Sequence, residues 1–178
     1  EIYRVDGALL DWLVARLEIF RTVLQTLSDT LAVATQQLAA TAPAVRPKGL
    51  GGLTHAVIER EVGDWTRFAN RRQVGSYTGL CGGISASGKS SHLLPITKHG
   101  NARLRTALIE LAWRLVIWQP ESKLVKKWRP VLGRPKVNKG ARKKAIVAIA
   151  RQMAVDLWRW KTKRAEPADF GWEMIGGS

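Results

Sequence analysis

Residues 79–100 read GLCGGISASGKSSHLLPITKHG, and the fold class depends on how this stretch is interpreted. Within it, residues 83–90 satisfy the phosphate-loop pattern G-x-x-x-x-G-K-[ST] letter for letter. That pattern works only between a buried strand and a helix. The preceding residues 76–81 are too short and polar for the strand, and Pro95 and Gly100 argue against the helix. We therefore reject nucleotide hydrolysis and interpret the stretch as a flexible, phosphate-compatible connection between helices.

A regular apolar seam predicts one long helix over residues 1–42. Its side chains recur at alternating spacings of three and four residues, the period of a coiled coil. The seam consists of Leu10, Leu13, Leu17, Phe20, Leu24, Leu27, Leu31, Ala34 and Leu38. Other apolar residues widen the stripe, so an amphipathic helix packed on its own domain is the alternative. Pro43 and Pro47 end the helix, and residues 43–47 are predicted to be a linker.

The chain as a whole predicts an all-α architecture, in which the coiled-coil helix precedes a compact helical domain. That domain covers residues 48–164, and a flexible tail covers residues 165–178. Gly49, Gly51 and Gly52 precede a helix, as in the hairpin of a helix-hairpin-helix element. Glycines in this position let backbone N–H groups approach a phosphate at the helix N-terminus.

Three further helices are expected from apolar periodicity and capping residues. A short one begins at Asn70, one covers residues 101–118 with its first residue as the N-cap, and the last covers residues 139–163. Pro130 and Gly133 predict an irregular basic connection before the last helix. No segment is interpreted as a strand.

Basic charge is concentrated in one part of the chain. The net charge is +15, and residues 97–164 alone carry 19 basic and three acidic side chains. A basic block on a folded domain is typical of nucleic-acid binding. General solubility and an anionic membrane are the alternatives, but the charges form no membrane-type amphipathic face. The eight tryptophans are interpreted first as core residues and second as base-stacking platforms.

Several classes of protein are excluded by what the sequence lacks. No apolar run approaches the roughly 20 residues of a membrane helix, so no membrane partner is expected. The single Cys81 excludes an internal disulfide, and an intracellular compartment is the default. His55, His92 and His99 lack metal-ligand spacing, so no metal site is expected within these residues.

Serine hydroxyls are the remaining source of chemistry. Attack on a phosphodiester needs an exposed Ser, cations on the phosphate and an acceptor for the proton. Ser85, Ser87, Ser90 and Ser91 meet the first condition by their sequence context. From the residues alone, a hydroxyl-rich turn without a catalytic role is the better account.

Five motifs in order resemble the C-terminal domain of the bridge-RNA-guided serine transposases of insertion sequences. They are GLGGLT at residues 49–54, EVGDWTRF at 61–68, YTGL at 77–80, SGK at 87–89 and ITKHGNARLR at 96–105. The resemblance covers roughly residues 45–118. The preceding heptads resemble the coiled coil that joins this module to an N-terminal RuvC-like DEDD domain in that family.

The resemblance implies a DNA transposase or recombinase module for RNA-guided insertion-sequence transposition. In that family a Ser in the Ser-Gly motif becomes covalently joined to a DNA phosphate during strand exchange. By position this Ser is Ser87, and Ser85 is the alternative nucleophile. The resemblance also implies that Mg²⁺ is held by the RuvC-like domain, which is absent from these residues, so the chain would be the serine half of a composite active site.

Charge and position suggest which groups hold nucleic acid. The predicted contacts are Gly49, Gly51, Gly52, Lys89, Lys98, Arg103, Arg105, Arg142, Lys143 and Lys144. The resemblance implies DNA, a bridge RNA and further copies of the chain as partners, in a bacterial cytoplasm at the nucleoid. A non-catalytic helix-hairpin-helix module for nucleic-acid binding and oligomerisation is the alternative function, and a coiled-coil scaffold is a third.

Overall fold

The computed structural model describes residues 7–41, 43–87, 90–133 and 138–176; for residues 39, 83–87 and 90–95 it describes the backbone alone. The chain divides into two units, Glu1–Thr41 and Ala42–Ser178. Most of the described residues are helical, which agrees with the predicted helical architecture. No helix in these ranges is long and apolar enough to cross a bilayer.

The described residues of the first unit form one helix, α1, which spans Gly7–Ala40. At about 1.5 Å per residue, its 34 residues measure roughly 50 Å. The predicted apolar seam is exposed along its length: Leu17, Leu24 and Leu31 each keep about two thirds of their surface accessible. Exposure on this scale leaves the seam available for a partner helix, and the coiled coil itself stays a prediction.

The second unit is built on two helices that pack together, α4 and α6, with shorter helices around them. Its elements are β1 (Arg46–Pro47), α2 (Gly52–Val62), a 3₁₀ turn (Trp65–Arg67), α3 (Arg71–Thr78), β2 (Gly82–Ser87), β3 (Ser90–Ile96), α4 (Ala102–Trp118), α5 (Lys123–Leu132), α6 (Lys139–Lys161), α7 (Pro167–Phe170) and β4 (Met174–Ile175). The α4–α6 contact is apolar, because the inner faces of both helices are fully buried. Its central residues are Leu108, Leu111, Leu115, Ile149 and Met153.

Polar side chains cap the helices where the sequence predicts it. The Asn70 side chain accepts from the N–H groups of Arg72 and Gln73 at the start of α3. The Asn101 side chain accepts from Leu104 N at the start of α4. Each cap satisfies N–H groups that have no partner within the helix, so these helix starts follow from the local sequence.

The stretch expected to be an irregular connection is in fact a β-hairpin. Strands β2 and β3 pair antiparallel, with Ser87 opposite Ser90. The pairing shifts by one residue between Gly82 and Ile84, so β3 contains one extra residue beside the position of Pro95. A bulge accommodates a residue that has no N–H to donate, which explains how a proline fits within this strand.

The predicted basic connection also differs, because most of it is the helix α5. Ser122 caps its start by accepting from Val125 N. Leu124 and Val125 are buried, and α5 packs on α6. Pro130 lies near the C-terminal end of α5, so the break expected there does not interrupt the helix before Leu132. Burial of one apolar face thus outweighs the local effect of the proline.

The C-terminal segment is packed, where the sequence predicted a flexible tail. Strand β4 pairs with β1, so the predicted linker at residues 43–47 takes part in a short sheet. Phe170 and Trp172 are buried and their rings lie 4.6 Å apart between centroids. The buried Gln119 side chain joins this segment to the end of α4, since it donates to Lys48 O and accepts from Glu173 N.

Candidate nucleic-acid interface

Three of the sequence motifs converge where α2 and α3 end and α4 begins. The Tyr77 hydroxyl donates to the backbone carbonyl of Glu61 at 2.6 Å. The Asn101 side-chain amide donates to the Glu61 carboxylate, also at 2.6 Å, and the Asn101 N–H donates to Tyr77 O at 2.9 Å. We call Glu61, Tyr77 and Asn101 the motif junction. It ties together segments that are 16 to 40 residues apart in the sequence.

Two glycines lie face to face beside the motif junction. Gly79 ends α3 in the left-handed conformation, with φ at 65°. A Cβ added to Gly100 would stand 2.5 Å from Gly79 N and 2.6 Å from Tyr77 O. A Cβ on Gly79 would stand 2.8 Å from an Arg105 guanidinium nitrogen. The two chain segments can therefore approach this closely only because neither residue carries a side chain.

Arg105 holds the base of the hairpin rather than standing free. Its guanidinium donates to Thr78 O at 3.4 Å and to Lys98 O at 3.3 Å. Backbone bonds from Thr97 N to Cys81 O and from Lys98 N to Gly79 O continue the hairpin pairing to this point. Arg105 was predicted to bind phosphate, and in the structure one of its nitrogens is already engaged with backbone carbonyls.

Two further predicted phosphate ligands lie on the surface near the same point. Lys98 is exposed and adopts the left-handed conformation, with φ at 57°. The Arg103 side chain is 82% exposed, and its guanidinium lies 3.6 Å from the Glu61 carboxylate. Because the Arg103 side chain is exposed to solvent, its guanidinium is accessible to a phosphate, although the Glu61 side chain is only 18% exposed.

Strand β2 leads from this base to Ser87, the predicted nucleophile. Ser87 is the last residue of β2, five residues beyond Gly82, which corresponds to about 17 Å of extended chain. The structure describes the backbone of Ser85 and Ser87 and not their side chains. Lys89, a predicted phosphate ligand, lies outside the described residues.

A basic groove of about 1000 Å³ runs between the hairpin base and the helices α3, α5 and α6. Six cationic side chains line it: Arg71, Arg72, Lys127, Lys143, Lys144 and Arg151. Its lining residues include no Asp or Glu. Within the described ranges, no carboxylate lies within ion-pair distance of any of these six cations. The basic groove is therefore a concentration of uncompensated positive charge.

Lys143 and Lys144 were predicted from the sequence, and both line the basic groove. Arg142 was predicted with them but belongs to another face of α6, where its guanidinium lies 5.6 Å from the centre of the Trp113 ring on α4. The adjacent pair Arg71 and Arg72 was not singled out. The only sequence feature that could have indicated this pair is the occurrence of two cations in the first turn of a helix, where the helix dipole disfavours positive charge.

The three glycines at the start of α2 (Gly49, Gly51 and Gly52) are less accessible than the sequence predicted. Gly49 has φ at 91°, and a Cβ there would stand 3.4 Å from Trp118 Cβ. A Cβ on Gly51 would stand 2.8 Å from an Arg114 guanidinium nitrogen. Gly51 is the N-cap of α2 and no side chain caps this end, while Gly52 is buried. The exposed side chain of Arg114 lies beside Gly51 at the N-terminus of α2, and it was not predicted to contact nucleic acid.

Burial shifts the pKa values of two titratable groups of this domain in opposite directions. Burial raises the pKa of Asp156 to about 6, although Gln152 donates to its carboxylate at 2.8 Å. Burial lowers the pKa of His55, against the opposing effect of Glu59. Glu59 in turn pairs with Lys161 at 2.8 Å, which ties the start of the domain to the end of α6.

Metal ligands are not grouped in the part of the chain described here. No three His, Cys, Asp or Glu side chains of those residues are placed to hold one ion.

Comparison with known proteins finds similarity to transposases over part of the chain. Residues 46–127 match the family described as the transposase IS116/IS110/IS902 family. The protein named "Putative transposase y4rJ" of Sinorhizobium fredii (strain NBRC 101917 / NGR234) is 39% identical over 113 residues, which are 64% of this chain and 28% of that protein. "Putative transposase y4qE" of the same strain is 30% identical over 147 residues, 68% of this chain and 36% of that protein.

A third relative comes from another organism. The "Transposase for insertion sequence element IS1111A" of Coxiella burnetii (strain RSA 493 / Nine Mile phase I) is 33% identical over 118 residues, 65% of this chain and 31% of that protein. The chain spans about a third of the length of the curated relatives it matches. The resemblance to insertion-sequence transposases is confirmed, whereas serine chemistry and RNA guidance stay predictions.

Proposed function

Because residues 46–127 match the IS116/IS110/IS902 transposase family, we propose that this chain is the DNA-joining part of an insertion-sequence transposase. Ser87 is the proposed nucleophile, with DNA phosphodiesters as its substrate. The observation that carries the proposal is the arrangement around the hairpin: β2 places Ser87 five residues from a base held by the motif junction and Arg105.

The proposed reaction is a transesterification. The Ser87 hydroxyl oxygen attacks the phosphorus, and the new Ser87–phosphorus ester forms as the bond to one deoxyribose oxygen breaks. The hydroxyl proton passes to a base, and the departing deoxyribose oxygen takes up a proton. One phosphate ester replaces another, so the step needs no nucleotide hydrolysis and is reversible by attack of a second deoxyribose hydroxyl.

Cations near the hairpin would stabilise the charge that develops on the phosphate. Lys98 and Arg103 are exposed and suit direct contact with DNA, and Lys89 is proposed with them because it follows Ser87 by two residues in the sequence. Arg105 is assigned a positioning role, because it bonds the carbonyls of Thr78 and Lys98. Its cationic charge remains close to any phosphate bound at the hairpin base.

The glycines before α2 are proposed as a second contact with the nucleic-acid backbone. The N-terminal N–H groups of α2 lack a side-chain cap, and the guanidinium of Arg114 lies beside Gly51. A phosphate placed here would accept from the N–H groups of Gly51 and Gly52 and pair with Arg114. Such a contact positions DNA without reading its sequence.

The remaining parts of the active complex are proposed to come from outside these 178 residues. A RuvC-like domain would supply Mg²⁺ and its acidic ligands, and a bridge RNA would specify the DNA target. The exposed seam of α1 supports assembly with another copy through a coiled coil, which would bring the serine of one subunit to the acids of another.

Covalent trapping tests the proposed nucleophile. The full-length transposase is incubated with its guide RNA and a nicked suicide DNA, and protein–DNA adducts are measured under denaturing conditions. We expect Ser87→Ala to abolish the adduct and Ser85→Ala to retain it. An adduct that persists in Ser87→Ala and is lost in Ser85→Ala assigns the nucleophile to Ser85 instead.

The alternative function is a non-catalytic nucleic-acid-binding and oligomerisation module. The uncompensated cations of the basic groove favour binding irrespective of any chemistry at Ser87. Under this alternative, the transposase shifts DNA in a salt-dependent manner, and neither serine substitution changes the yield of adduct because none forms.

A further inference from the structure

The basic groove has an apolar floor as well as a cationic rim. Leu80 and Ile96 line it at the hairpin base, and Leu124 and Trp128 line it from α5. Val147 and Val155 of α6 complete the apolar side. Trp128 is half-buried, so part of its surface is in contact with the core and part faces outward.

A double helix would use only half of this surface. Its phosphates can pair with a cationic rim, but its bases are stacked and paired and cannot reach an apolar floor. An unpaired nucleotide presents both groups, since the phosphate is anionic and the free base has an apolar face that stacks on aromatic side chains. The volume of about 1000 Å³ is at the upper end of the range for sites that enclose organic ligands.

We propose that the basic groove binds an unpaired segment of nucleic acid, with one base against Trp128 and the flanking phosphates on the cationic rim. Arg71 and Arg72 would hold one side of the segment, and Lys143 and Lys144 the other. The inference rests on the proposed function, because it takes nucleic acid as the partner. It adds that the bound part is single-stranded and that the basic groove is the site that selects it.

The basic groove begins at the base of the hairpin that carries Ser87, so a bound unpaired segment would lie close to the proposed nucleophile. Gly82 lines the groove as the first residue of β2, and Ser87 ends the same strand. A DNA strand that is joined to Ser87, or displaced during exchange, would therefore find a site for its unpaired bases within the length of β2. Sequestering those bases would oppose re-pairing before the second strand arrives.

Fluorescence anisotropy with the 178-residue chain tests the inference. Three labelled ligands of about 16 nucleotides are compared: oligothymidine, oligouridine and a duplex. Trp128→Leu removes the aromatic face while keeping an apolar side chain. Trp118→Leu is the matched control, because Trp118 is an exposed tryptophan on α4 that does not line the basic groove. Trp128→Phe restores a stacking surface.

We expect Trp128→Leu to weaken binding of the single strands about tenfold and duplex binding by less than about twofold, because base stacking is lost only with unpaired ligands. Trp128→Phe should recover most of the affinity, and Trp118→Leu should change neither. The ratio of oligothymidine to oligouridine affinity identifies whether the occupant is DNA or RNA.

Two results would overturn the inference in different ways. Equal loss of single-strand and duplex binding in Trp128→Leu, or no loss in either, would show that the groove does not select unpaired bases, while the proposed function stands. Absence of any nucleic-acid binding by the parent chain, with capture of a polyglutamate peptide instead, would assign the groove to an acidic protein segment and would contradict nucleic-acid binding by this chain as well.

Discussion

Gly100 lies against Gly79 so closely that a Cβ on Gly100 would stand 2.5 Å from Gly79 N. The contact involves backbone on both sides, so no side-chain rotation can relieve an added methyl group. It lies where the chain enters and leaves the hairpin that carries Ser87. The geometry of the candidate site therefore depends on the smallest residues in the motifs.

Gly100→Ala should destabilise the domain by about 2–3 kcal/mol, because overpacking against backbone forces the chain to move. Urea unfolding of the chain measures this. Gly171→Ala is the control, since Gly171 is in the left-handed conformation, with φ at 68° and ψ at 37°, and a Cβ there would make only ordinary contacts at 3.5 Å or beyond. It should cost only the strain of a left-handed residue, about 1 kcal/mol. Equal losses in the two variants would contradict the close packing of Gly79 and Gly100.

Asp156→Asn should stabilise the protein at pH 7 and have little effect at pH 4. Burial raises the pKa of Asp156 to about 6, above its value in the unfolded chain, so the native state favours the protonated form. The stability it provides is present at low pH and is lost as pH rises through about 6. At roughly 1.4 kcal/mol per pKa unit, the gain in Asp156→Asn should be of the order of 2–3 kcal/mol.

Urea titrations of both proteins at several pH values between 4 and 8 give this difference directly. The comparison cancels the titration of all other groups, and the amide of Asn retains an oxygen that can accept from Gln152. A difference in unfolding free energy that does not vary with pH would show that the pKa of Asp156 is the same in the native and unfolded states.

Removing Lys143 and Lys144 together should make DNA binding less dependent on salt. Each phosphate contact to duplex DNA contributes about 0.9 to the slope of log K against log salt concentration. Lys143→Ala with Lys144→Ala should therefore reduce the magnitude of the slope by nearly 2, as measured by anisotropy at several salt concentrations.

A double variant of the same net charge separates local contacts from general attraction. Lys48 pairs with Glu173, and Lys126 pairs with Glu121, each within 3.0 Å. Neither lines the basic groove. Lys48→Ala with Lys126→Ala should leave the slope within experimental error, and an equal decrease in both double variants would mean that only overall charge matters.

Leu17→Lys with Leu24→Lys should convert an α1-dependent oligomer to monomers. Both side chains belong to the apolar seam and are about two thirds exposed in the isolated chain, so a partner helix would have to bury a charge at each position. Light scattering after size exclusion measures the mass. Thr22→Lys with Gln36→Lys changes the charge equally off the seam and should leave the oligomer intact; loss of assembly in both would contradict the predicted seam.

The local sequence by itself determined the two central helices, the starts of α3 and α4, and the distribution of charge. Apolar spacing placed α4 and α6, and Asn70 and Asn101 cap the helices they were predicted to start. These features depend on neighbours within four residues, which periodicity and capping rules describe. Trp118 is an exception to these rules. Its spacing from the other apolar residues of α4 predicted that it is buried, but the residue is 54% exposed.

The hairpin, the packed C-terminus and the site were decided only by tertiary structure. Residues 79–100 contain no strong strand signal, and β2 and β3 form where the motif junction and Arg105 hold both ends together. Glu61 meets Asn101 across 40 residues, and β1 meets β4 across more than 120. The basic groove likewise combines cations from three helices. No local rule describes such pairs, because their free energy comes from burying surfaces that are distant in the chain.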